Sequence, residues 1–121
     1  INEDIVVPRS RIPDMVRKID HLRKETGLTM ASFGHAGDGN IHFNIILDKK
    51  NKKDLEKAEE AIKVLFDYTL QLGGTISGEH GIGITKAPYI AKEIGMVELE
   101  LMKKIKRVFD PEGILNPGKI F

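Results

Sequence analysis

The stretch IHFNIIL, residues 41–47, alternates so regularly that it fits an extended strand far better than a helix. Ile41, Phe43, Ile45 and Leu47 fall on one side of such a strand; His42, Asn44 and Ile46 fall on the other. Just before it, FGHAGDGN ends another β-prone segment in a turn of Ala, Gly, Asp and Gly, a strong hairpin signal. Residues 29–35 and 40–47 are therefore expected as paired antiparallel strands with one apolar face. That face needs cover.

Helical periodicity supplies it. Ile12, Met15, Val16, Ile19 and Leu22 repeat at helical spacing up to Gly27, with Ser10 as the expected N-cap and Pro13 and Asp14 in the first turn. A second helix should start near Asn51 or Asp54, carry the stripe Leu55, Ala58, Ile62, Leu65, Phe66 and Thr69, and stop at Gly73. EDIVVP reads as a first strand closed by Pro8, and GTIS as a short fourth strand. The order β-α-β-β-α-β predicts an α+β fold of the ferredoxin-like, split βαβ plan: an antiparallel sheet with helices on one face. Beyond it are expected a short helix over 87–94 and, after Gly95, a longer one turning Val97, Leu101, Met102, Ile105, Val108 and Phe109 to the core. The DPEG turn and the extended tail ILNPGKIF follow. The opposite sheet face, bearing His42 and Asn44, is expected to be uncovered, a surface for docking or for self-association.

Composition narrows the function. At 121 residues the chain is one domain, and 19 basic against 18 acidic residues give no footprint for nucleic acid. Cysteine is absent, which excludes disulfides, iron–sulfur ligation and thiol catalysis within the chain. No apolar run is long enough for a membrane span and no signal peptide opens the sequence, so a cytoplasmic location is expected. The first residue is Ile1, not Met, which suggests a piece excised from something longer.

Two stretches carry chemistry. His35 and His42 bracket the hairpin turn, near enough for both imidazoles to reach one metal ion, although a histidine beside a turn is more often a surface residue. The acidic turn is a poor calcium loop, since the flanking positions lack carboxylates. The stretch GGTISGEHGIG, 73–83, spends five glycines in eleven residues, which points to close backbone approach to a ligand. It does not match a phosphate loop. Glu79 is a candidate carboxylate ligand there; with His35 and His42 it would form a two-histidine, one-carboxylate set with open positions, typical of catalytic divalent sites. His80 would then be free as a proton acceptor near neutral pH. His21, on the first helix, reads as ordinary surface.

Three motifs in order, GHAGDGNIH, GGTISGEHGIG followed by Lys86, and DPEGILNPGKIF, resemble the C-terminal domain of FAD-linked oxidases. This is the group of glycolate oxidase flavin subunits, D-lactate dehydrogenases and D-2-hydroxyglutarate dehydrogenases. The resemblance runs from EDIVVPRS to the last residue. It implies oxidation of a small 2-hydroxy acid to a 2-oxo acid at FAD. It further implies that His35, His42 and Glu79 hold zinc or manganese and that His80 is the general base. Asn44 is then a substrate contact and Asn116 approaches the flavin, while Lys86 matches a family lysine without an assigned role. The FAD-binding domain is expected upstream, outside residues 1–121, so the chain is expected to hold half an active site and to be inactive alone. An electron-acceptor subunit, through which the enzyme attaches peripherally to a membrane, is a further expected partner. The competing expectations are a free-standing ferredoxin-like module that binds a metal or small molecule without flavin, and a purely structural docking domain.

Overall fold

The computed structural model describes residues 1–121, which divide into two units, Ile1–His80 and Gly81–Phe121. The first unit contains β1 (Asn2–Val6), a single 3-10 turn, α1 (Ile12–Thr26), β2 (Thr29–His35), β3 (Asn40–Ile46) and α2 (Lys52–Gln71). Both strand pairs are antiparallel, and the strand order is β1-β3-β2. That order, with both helices in sequence between and after the strands, is the expected α+β architecture.

Register sorts the two faces. Phe43 lies opposite Glu3 and Ser32, and Ile41 opposite Ile5 and Gly34. Phe43, Ile41, Ile45 and Ile5 are buried together with Met15, Ile19 and Leu22 of α1 and Ala58, Ala61, Ile62, Leu65, Phe66 and Thr69 of α2. Each large apolar side chain buried there contributes about 1.5–3 kcal/mol. Gly27 ends α1 at φ 70°, its N–H donating to Arg23 O, as a left-handed C-terminal glycine should. Asn51 caps α2, its side chain accepting from Asp54 N.

Three expectations need correction. Ser10 is not the cap of α1: it lies within the 3-10 turn Arg9–Arg11, which runs directly into the helix, and the first turn is held instead by Asp14 pairing with Arg11 and Arg17. The expected fourth strand, 74–77, is reduced to one bridge, Thr75 with Val6, made by mutual N–H···O bonds of 3.0 and 2.9 Å. Beyond it the amides of Gly78, Glu79 and His80 donate to the Asp4 carboxylate rather than to a ladder.

The third correction concerns the second unit. It holds a 3-10 segment (Ala87–Lys92), α3 (Met96–Phe109) and the tail. Leu99 is the one buried residue of α3; Val97, Leu101, Ile105, Val108 and Phe109, expected to face a core, are exposed. A piece of roughly forty residues sits near the lower size limit for an independent core, and one helix cannot bury its stripe against itself. The tail is tied down by Asp110, which accepts from Ile114 N, Leu115 N and Lys106 Nζ, and by Ile120 N donating to Gly83 O.

Candidate metal and proton-transfer site

The sheet face away from the buried helices carries a row of three residues, one per strand: Asp4 on β1, His42 on β3 and Phe33 on β2, in Cα register. His42 was expected to look out from a bare surface. It is instead buried, at 5% exposure, because its ring is flanked by those of Phe33, His35 and His80 at centroid separations of 5.1, 5.5 and 5.2 Å. The uncovered face is thus roofed locally by rings and by the glycine loop.

His42 Nε2 lies 3.0 Å from Glu79 Oε1, and His35 Nε2 lies 4.0 Å from the same oxygen. One ligand atom from each of His35, His42 and Glu79 can be chosen so that all lie within 4.8 Å of one another. Bonds of about 2.1 Å in tetrahedral geometry put ligand atoms about 3.4 Å apart. His42 and Glu79, at 3.0 Å, lie slightly inside that spacing. His35 and Glu79 are mostly exposed and can close the remainder by side-chain rotation. One buried, fixed imidazole with two mobile partners is a donor set that fits a zinc- or manganese-like ion.

His80 is outside this trio, as expected. Its ring is tilted 33° against that of His42, and its Nδ1 is 3.5 Å from Asp4 Oδ1. Asp4 is fully buried, and its Oδ2 accepts three successive backbone N–H groups, from Gly78, Glu79 and His80, at 2.9, 2.5 and 3.1 Å. The close approach expected to be to a ligand is, at two of the glycines, to the chain's own residues: a Cβ on Gly78 would sit 2.8 Å from Asn40 Oδ1, and one on Gly74 2.1 Å from Val6 O.

Asn44 shares the His42 face, and its Oδ1 is buried without a hydrogen-bond partner, as is that of Asn40. Buried acceptors without donors are uncommon and mark places where a ligand can supply one. Asn116 belongs to the second unit. It has a left-handed backbone (φ 48°) and lines a cleft of about 470 Å³ with Lys106, Lys119 and Phe121. His21 is exposed on α1 beside Glu25, as expected of a surface residue. Lys86 is almost wholly buried.

Asp4 was missed from sequence, and Asn40 was weighed there only, with Asp38, as a poor calcium ligand. The available signal for Asp4 was the second of two adjacent acids in EDIVV, at a position whose period places it on the histidine face.

Fold and cluster define an α+β sheet domain carrying a two-histidine, one-carboxylate constellation with an adjacent histidine. The chain belongs to the family of FAD linked oxidases, C-terminal domain, whose pattern it matches over residues 1–120. It is 45% identical over 121 residues to "Glycolate oxidase subunit GlcD" of Bacillus subtilis (strain 168), covering 100% of this chain and 26% of that protein. It is 39% identical over 118 residues to "D-lactate dehydrogenase" of Anaerostipes hadrus, covering 97% of this chain and 25% of the relative. It is 40% identical over 122 residues to "D-2-hydroxyglutarate dehydrogenase" of Stutzerimonas stutzeri (strain A1501), covering 98% and 26%. The chain thus spans about a quarter of the length of these relatives. No helix is long and apolar enough to cross a membrane.

Proposed function

We propose that the chain contributes the metal ligands and general base of an FAD-dependent oxidoreductase that converts a 2-hydroxy acid to a 2-oxo acid. The observation that carries the reading is the convergence of His35, His42 and Glu79 ligand atoms within 4.8 Å, beside a fourth group, His80, that is not one of them. The relatives' names supply the substrate class.

His42 is the fixed ligand, held by ring packing, and His35 and Glu79 close on the ion from the exposed side. When bound, the ion supplies Lewis-acid polarisation of the substrate hydroxyl and FAD supplies the hydride acceptor. His80 accepts the hydroxyl proton at a ring nitrogen, a role that suits imidazole near neutral pH. Asn44 offers its unpartnered Oδ1 to a donor on the substrate, and Asn116 contacts the flavin. FAD itself is held by a domain outside residues 1–121, an electron-acceptor partner reoxidises it, and the chain by itself binds metal without catalysing turnover. Self-association of the isolated chain is assigned to the exposed apolar residues of α3 rather than to the sheet face. Sedimentation of Leu101→Ser/Ile105→Ser should then show less oligomer than wild type.

Calorimetric titration with Zn²⁺ or Mn²⁺ tests the reading. Wild type should bind one ion and His42→Ala should not. Equal binding by both removes His42 from the site, and flavin-loaded, yellow protein overturns the placement of FAD outside this chain.

A further inference from the structure

The Asp4 carboxylate is an unusual object to find in the middle of β1. It is completely buried, between Glu3 and Ile5 on a strand at the edge of the sheet. A carboxylate in such a place is tolerated only when several donors converge on it. Here they do. Oδ2 takes the N–H groups of Gly78, Glu79 and His80, three consecutive donors forming a concave backbone nest of the kind that elsewhere holds free anions. Oδ1 faces His80 Nδ1 at 3.5 Å, about half an ångström beyond an ideal N–H···O bond.

These bonds divert the chain at Thr75–Gly78 out of the sheet ladder. They also set the two chemical residues of the loop: Glu79 is delivered to His42 Nε2, and His80 is laid beside the His42 ring. An ionised carboxylate beside Nδ1 attracts a proton to that nitrogen and so leaves the lone pair on Nε2.

We propose that Asp4 is the positioning residue of this site, clamping the 78–80 backbone and holding His80 as the Nδ1–H tautomer so that Nε2 is the proton-accepting atom. The proposal rests on the reading of His80 as the base. Three backbone bonds converge on one oxygen, and the second oxygen faces the imidazole. The proposal also makes a chemical forecast for Asp4→Asn. With the amide oxygen turned to the three N–H donors, the NH₂ group faces Nδ1, which can then only accept. The proton must move to Nε2.

The test is nitrogen-15 NMR of the histidine rings in the 121-residue chain at about pH 8, above the histidine range, with chelator present. Wild type should show His80 with a pyrrole-like Nδ1 and a pyridine-like Nε2. Asp4→Asn should reverse the two. Asp4→Ala should lower amide-exchange protection at Gly78, Glu79 and His80 by about 10- to 100-fold, the loss expected for bonds to a charged acceptor. A wild-type Nε2–H tautomer overturns the proposal without any variant having to fold; so does Asp4→Asn with the wild-type tautomer. The base assignment fails separately. If the tautomer switches as stated but His80→Ala leaves turnover intact in the flavin-loaded protein, Asp4 still positions the ring and His80 is not the base.

Discussion

The helices α1 and α2 of the first unit and α3 of the second carry apolar stripes of similar regularity, and the two sets meet opposite fates. On α2, Leu65 and Phe66 are 0% exposed; on α3, Val97 is 80% and Phe109 78% exposed. Periodicity states which side of a helix is apolar, and says nothing about whether anything lies against that side. In the first unit a three-stranded sheet supplies the partner. In the second, Leu99 alone of α3 is buried. Chemistry divides in the same way. The first unit holds the convergent titratable groups, His35, His42, Glu79, His80 and Asp4, whereas the second offers a cleft beside Asn116.

The largest expected effect sits in the first unit. In the flavin-loaded protein, His80→Ala should lower kcat by about 10²–10⁴, the usual contribution of a positioned base, with metal content by elemental analysis unchanged. If metal and activity are lost together, His80 is a ligand and the division of labour around Glu79 has to be redrawn.

Stability offers the sharpest contrast. Phe66→Ala should cost about 3–5 kcal/mol by urea denaturation, because it empties a closed core. Val97→Ala should stay within about 0.5 kcal/mol, as for exposed positions generally. Similar losses at both positions would mean that α3 is covered in solution and that the contrast between the units is false.

Metal affinity should separate them too. Glu79→Gln should weaken Zn²⁺ binding by at least about 10- to 100-fold, the range already seen for supporting groups around an ion, while Asn116→Ala leaves it unchanged. Wild-type affinity should also be lower at pH 5.5 than at pH 7.5, because protons compete with the metal for its ligands. Calorimetry at pH 7.5 and 5.5 checks both statements; a pH-independent constant would remove the histidines from the site.

The smallest effect belongs to the second unit. The Lys106 ammonium hydrogen-bonded to Asp110, offset in part by desolvation and helped by the Ile114 and Leu115 amides, holds that carboxyl below its ordinary range. A depressed folded-state value stabilises the tail above the unfolded carboxylate range, near pH 4. The contribution is lost as pH falls through the folded value. Asp110→Asn should therefore abolish a small acid-side loss of tail order, followed by the Ile114 and Leu115 amide resonances between about pH 5 and 2. An unchanged acid profile in the variant would remove Asp110 as the latch.

What could be read from the sequence were the features set by local repeat and by chemical identity. The alternation of 41–47 determined the hairpin and the face of every residue on β3. Gly27 and Gly73, both left-handed in the structure, determined where α1 and α2 stop. Motif identity determined the family. Residue type and spacing made His35, His42 and Glu79 candidates for one cluster. Sequence could not say that His42 would be buried, since that depends on three rings contributed by 33, 35 and 80. Nor could it say that GTIS would yield a single bridge, because a strand propensity competes there with a carboxylate more than seventy positions away. Asp4 is the clearest case. In the sequence it is one of two adjacent acids at the start of a strand. Only the tertiary fold, by carrying residues 78–80 across β1, turns it into the acceptor on which the histidine loop is built, because hydrogen bonds between residues so distant in sequence leave no local pattern to read.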